Sequence, residues 1–189
     1  MDAQSKLIRL LEENPELLSD FGDFKRVKDI PKERAEFVYT KAMELYEKAD
    51  YASSRMLLAK LGTVIPGDFR ISYGMASCFF KEKDYESAIQ CYFAAATIDP
   101  HNPEPKYYLS LCYRYLGQKS LELVCLRKCV AISYKHPLYE SIYNKAEPEL
   151  RALEYELQQA VRKELERAVQ DGDLEKTLER IVKDREMFR

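Results

Sequence analysis

The side chains with the greatest reactivity in this sequence are five cysteines and two histidines, set among fourteen tyrosines and no tryptophan. Cys78, Cys91, Cys112, Cys125 and Cys129 are odd in number and irregular in spacing, which is not a disulfide framework. Cys125 and Cys129 stand one helical turn apart, but no Cys-x-x-Cys occurs. His101 and His136 fall in turn regions far from any cysteine pair, so no zinc ligand set is expected. The thiols therefore read as small buried hydrophobes in a reducing cytoplasm. Glycine-rich phosphate loops and dinucleotide fingerprints are missing. No Ser-His-Asp arrangement is suggested, and the many carboxylates belong to helix surfaces. The expectation is a protein that is not an enzyme and carries no cofactor and no metal.

The tyrosines point elsewhere. Tyr39, Tyr73 and Tyr107 are spaced 34 residues apart. Each ring offers apolar area with little rotamer entropy to lose, and a hydroxyl able to bond a peptide backbone. About a helical turn away lie further residues of the same face: Glu36, Met43 and Tyr46; Arg70, Ser77 and Phe80; Glu104, Leu111 and Arg114. The expected peptide-binding set is Tyr39, Met43, Tyr46, Tyr73, Ser77, Phe80, Tyr107, Leu111 and Arg114. On the premise that the tyrosine slot does not pack within its own repeat, such a face suits an extended, partly apolar peptide. A Lys/Asn clamp for a peptide's terminal carboxylate, of the kind that holds heat-shock chaperone tails, is absent, because Tyr39, Met43 and Gly74 occupy its slots.

What must position these rings is a repeat. In residues 84–100, Tyr85, Ala88, Tyr92, Ala95 and Pro100 fill the second-helix slots of a tetratricopeptide repeat, and Met75, Ala76 and Phe79 fill the first. Moving back 34 residues gives Tyr51, Ser54, Leu58, Leu61 and Pro66 after Lys41, Ala42 and Leu45. Moving forward gives Leu109, Ser110, Tyr113 and Gly117, then Leu126 and Cys129. Lys119 and Glu122 break the third pattern, and Pro137 comes three residues late. Small residues at Ala42, Ala76 and Ser110 let paired helices approach, while apolar residues a turn apart form the stripe between them. No repeat buries its face alone, so stacking is obligatory and the ends need caps. The expected fold is all-α, a tetratricopeptide-repeat superhelix of three repeats with an N-terminal helix and C-terminal capping helices. The expected division is 1–34, an N-terminal cap or dimerisation segment; 35–137, the repeats; and 138–189, a helical extension.

The ends are less regular. Leu7, Leu10 and Leu11 give residues 4–13 an amphipathic helix, followed by an apolar cluster of Leu17, Leu18, Phe21 and Phe24. After Pro137 the pattern predicts a short helix to about Ala146. A long one from Pro148 to Asp171 follows, with Pro148 in its first turn. Gly172 stops it, and Leu174, Leu178, Ile181 and Val182 form the stripe of a last helix.

Composition supports a folded helical chain: 46% of residues are apolar, 33% are charged, and only six glycines and eight prolines interrupt it. A net charge of -2 argues against nucleic acid as the main ligand. No apolar stretch is long enough to insert in a membrane, and the polar N-terminus is no signal peptide, so a cytoplasmic protein is expected.

The run from Phe69 to Pro103, and Asp99-Pro-His-Asn-Pro-Glu-Pro105 followed by an aromatic-rich helix with Cys112 and a Leu-Gly turn, resembles the class II chaperones of bacterial type III secretion. The resemblance covers about residues 35–135. It implies a chaperone that holds a hydrophobic secreted translocator in a groove before export, with an N-terminal helix able to serve in a homodimer. The C-terminal helix pair is longer than that family usually carries. Two other readings stay open: a scaffold subunit of a larger assembly, and a chaperone for a polymerising, needle-type secretion subunit.

Overall fold

The computed structural model describes residues 32–186, and these form helices with no strand among them. In chain order they are α1 (Lys32–Glu47), α2 (Tyr51–Val64), α3 (Phe69–Lys81), α4 (Tyr85–Ile98), α5 (Glu104–Tyr115) and α6 (Lys119–Ser133). A short 3-10 turn, Pro137–Tyr139, then leads into α7 (Glu140–Asp171), and α8 (Leu174–Glu186) is last. The chain divides between His101 and Asn102 into two compact units. The first contains the pairs α1–α2 and α3–α4. The second contains the pair α5–α6 with α7 and α8. The expected N-terminal helix and apolar cluster, residues 4–24, lie outside the described residues.

The turns repeat with the sequence period. Ala49, Lys83 and Gly117 each take a left-handed backbone, at φ of 61°, 63° and 71°. At each turn the next amide closes on a carbonyl five residues back: Asp50 on Leu45, Asp84 on Phe79 and Gln118 on Tyr113, all at 2.9–3.0 Å. This left-handed stop lets the chain reverse within three residues and satisfies helix-end carbonyls. The next helix is capped at once in the first two repeats, where Asp50 accepts from the Ser53 amide and Asp84 from the Ser87 amide. Gln118 at the third makes no such cap.

The small first-helix residues do what their spacing requires. Ala42, Ala76 and Ser110 are all 0% exposed. In the first unit Ala35, Val38, Ala42 and Leu45 of α1 pack with Leu57, Leu58 and Leu61 of α2 and Ile71 and Cys78 of α3. Burying a leucine such as Leu58 contributes roughly 1.5–3 kcal/mol. Gly74 marks the tightest approach, since a Cβ there would lie 3.0 Å from Leu58 Cδ1. In the second unit Tyr107, Leu126 and Cys129 pack against Ala146 and Leu153 of α7.

Three expectations are corrected. The third repeat is not weakened at Glu122: α6 forms over fifteen residues and buries that glutamate. The predicted break before Pro148 does not occur, and α7 runs for 32 residues with Pro148 inside it. A proline there leaves the Asn144 carbonyl without its helical donor, but Ala146 and Leu153, packed on α6 to either side, hold the helix together. The stripe of the last helix is largely open, with Leu178 44% and Val182 54% exposed. Helix α8 packs chiefly on α7 and meets too little surface to cover it.

Candidate peptide-binding site

In the first unit the expected site residues sit on α1 and α3, whose faces meet. Arg70 ties the two helices. Its Nη1 donates to Glu36 at 2.9 Å, its Nη2 pairs with Asp68 at 2.9 Å, and the guanidinium lies 4.9 Å from the Tyr39 ring centroid. The bonds from Arg70 hold the carboxyls of Glu36 and Asp68 below the usual range, and the guanidinium is raised in turn. Burial pushes the half-buried Tyr39 phenol up.

Tyr73 stacks on Phe69 at 5.5 Å and meets Tyr92 edge-on at 5.6 Å. Ser77 donates to the Tyr73 carbonyl, and its oxygen lies 3.3 Å from the Tyr92 hydroxyl. Tyr46 and Phe80 make the same edge contact one period apart, with Tyr51 at 5.3 Å and Tyr85 at 5.7 Å. Met43 is half-buried on α1. The result is a set of partly exposed rings fixed by their neighbours. Preorganised rings lose little entropy when a ligand covers them.

The second unit is different. Tyr107 is 9% exposed and belongs to the core. Its hydroxyl donates to Glu149 Oε1 at 3.0 Å, and burial, then that bond, push its phenol up to about 12. Leu111 is half-buried against the same core. Arg114 donates through Nε to Glu122 at 2.7 Å and through Nη2 to Glu149 at 2.7 Å. The premise that the tyrosine slot stays unpacked is therefore corrected. All three rings pack, and the third is covered because α7 supplies a third helix against α5 and α6.

Glu122 and Glu149 were missed as partners of this face. The signal for Glu122 lay in the repeat itself. Phe80 and Ala88 of the second repeat become Arg114 and Glu122 in the third. A large apolar residue and a small one give way to an ion pair at the equivalent positions, and each change compensates the other. Glu149 carried no such signal, because α7 lies outside the period.

The thiols are poor nucleophiles here. Cys78, Cys112 and Cys129 are buried, and burial pushes Cys112 and Cys129 up to about 12 and Cys125 up to about 11. Among the described residues no group of three His, Cys, Asp or Glu side chains could hold a metal ion. None of the described helices is long and apolar enough to cross a membrane.

Comparison with known proteins agrees with the helix pairs. The tetratricopeptide-repeat family model matches residues 69–102. Among solved structures, the Yersinia enterocolitica type III secretion translocator chaperone SycD superposes at a TM-score of 0.65, with 18% identity, over 69% of this chain and 90% of that one. PcrH from Pseudomonas aeruginosa gives a TM-score of 0.64 at 20% identity, over 69% of this chain and 98% of that one. This chain has the fold of the translocator chaperones. SycD has also been solved with a peptide of the translocator YopD, and PcrH with the chaperone binding region of PopD. The curated relatives include DnaJ homolog subfamily C member 3 of Gallus gallus, 30% identical over 108 residues, which are 57% of this chain. The chain spans about a fifth of the length of the curated relatives it matches.

Proposed function

We propose that this chain is a cytoplasmic chaperone that holds an extended, apolar segment of a secreted, translocator-type protein. The client lies against the tyrosine-bearing first helices of the first unit, α1 and α3. The observation that carries this reading is the set of half-buried rings on α1 and α3: Tyr39, Tyr46, Tyr73 and Phe80, each braced by a neighbour and each partly open. Each apolar client residue seated among them contributes roughly 1.5–3 kcal/mol before ordering costs. The SycD and PcrH structures with translocator segments support the same use of the same fold. Residues 1–34 serve as a cap or dimerisation segment, residues 35–137 as the three repeats, and residues 138–189 as a helical extension. A crystal structure of SycD as an alternative dimer supports self-association.

Co-expression with the translocator-type protein of its own genome tests the reading. Wild-type chain keeps the client in the soluble fraction and co-purifies with it. Tyr39→Ala and Tyr73→Ala, at unchanged helicity, each lower the affinity several-fold. Client recovery equal to wild type with both variants refutes the assignment of the site. The scaffold reading draws on Val169 and Val182, 62% and 54% exposed on the last two helices. It requires Val169→Glu with Val182→Glu to abolish partner capture while the tyrosine variants retain it.

A further inference from the structure

The three tyrosine slots differ in one respect. Tyr39 and Tyr73 are partly open, whereas Tyr107 is covered by α7. Two exposed ion pairs, Lys119–Glu156 and Arg127–Glu154, join α7 to α6, but among the described residues the polar fastening at the tyrosine slot itself is Glu149. Glu149 accepts from the Tyr107 hydroxyl with one oxygen and from Arg114 Nη2 with the other. Arg114 is itself fixed from behind by buried Glu122, which pairs with its Nε and leaves Nη2 aimed at α7. The residue before the fastening is Pro148, which interrupts the backbone ladder of α7 between Ala146 and Leu153, its two buried residues in the core of the second unit. A charge-assisted clasp beside a helical weak point is a place where a helix opens locally before the rest of the unit does.

We infer that α7 is a latch over the third tyrosine slot, held by the Glu149 carboxylate on Arg114 and Tyr107, and hinged at Pro148. The latch exists whether or not the slots bind a client. Only what the opened slot receives rests on the chaperone reading, in which it gives the client a further aromatic anchor.

The test needs no client. In the full chain, Glu149→Gln keeps the side chain's shape and removes its charge. Amide exchange is followed by mass spectrometry over α5, α6 and α7, and Tyr107 exposure by nitration with tetranitromethane. The latch predicts that exchange over residues 140–157 and nitration of Tyr107 rise roughly fivefold, the loss expected for one partly exposed charge-assisted hydrogen bond. Exchange at Leu109, Cys112 and Leu126 stays as in wild type. Pro148→Ala restores the missing backbone bond and slows exchange in α7. Arg127→Ala, which removes the pair to Glu154 that also joins α6 to α7, leaves Tyr107 protected. The inference is overturned if Glu149→Gln changes neither readout by more than twofold. It is overturned equally if α5 and α6 loosen together with α7, or if Arg127→Ala exposes Tyr107 as much as Glu149→Gln does. Client binding measured on the same variants fails or succeeds separately, through Tyr39 and Tyr73.

Discussion

Removing the Arg114 side chain is expected to destabilise the protein more than its surface position suggests. Its partner Glu122 has a side chain only 5% exposed, and the Nε–Oε1 distance is 2.7 Å. Charges roughly 4 Å apart attract by about 4 kcal/mol at the effective dielectric of a protein boundary. In the intact pair most of that is offset by desolvation, but Arg114→Ala leaves the desolvated carboxylate with no compensation. Breaking one side of a buried pair costs about 3–5 kcal/mol. Arg114 itself is 40% exposed, so water partly reaches the gap and the expected cost is near the lower limit, about 3 kcal/mol. The bond to Glu149 adds at most about 1 kcal/mol, since that carboxylate is 28% exposed and hydrates when released. The second repeat supplies the rescue. Arg114→Phe combined with Glu122→Ala installs the residues that stand one period earlier, Phe80 and Ala88, the latter 0% exposed in its slot. Replacing a buried ion pair by apolar groups is often neutral or stabilising, so the double variant is expected within about 1 kcal/mol of wild type. Urea unfolding followed by circular dichroism measures both. A loss below about 1 kcal/mol for Arg114→Ala, or a double variant less stable than that single one, refutes the account of Glu122 as a buried charge.

Two further outcomes follow from the turns and the thiols. Lys83→Gly places glycine at a position with φ of 63°, where Gly117 already stands one period later. The same urea titration is expected to show a gain of up to about 1 kcal/mol, and a loss contradicts the left-handed geometry of that turn. Cys112 and Cys129 are 0% exposed and are pushed up to about 12, from an ordinary thiol value near 9. The folded chain therefore retains these protons while the unfolded chain gives them up. The resulting stability is complete below pH about 9 and declines as pH rises toward 12, by at most about 1.4 kcal/mol per pH unit for each thiol. The urea midpoint measured between pH 8 and about 10.5 is expected to fall, and Cys112→Ala to make the fall shallower. A midpoint that stays flat over that range contradicts the buried protonated thiols.

Much of the first unit was legible in the residues. Ala42 and Ala76 had to be small because the two helices of a pair meet there, and both are fully buried. The period that placed them also placed Ala49 and Lys83 in one turn geometry and Asp50 and Asp84 at one cap. These features are local, or repeat at a fixed interval, so the chain carries them in its order. The same period set Tyr39, Tyr73 and Tyr107 in equivalent places on their helices.

What the period could not carry is the environment each ring meets. Tyr73 is braced by Phe69 and Tyr92, but Tyr107 is closed over by a helix 42 residues further on. Glu122 broke the repeat in sequence and is sound in space, because Arg114 reaches it. Pro148 looked like the start of a helix, and packing on α6 carried the helix through it. Residue type and spacing thus determined the helix pairs, their turns and the position of the tyrosines. Tertiary structure alone decided which of those tyrosines is open, because burial and ion pairing depend on side chains brought together from distant parts of the chain.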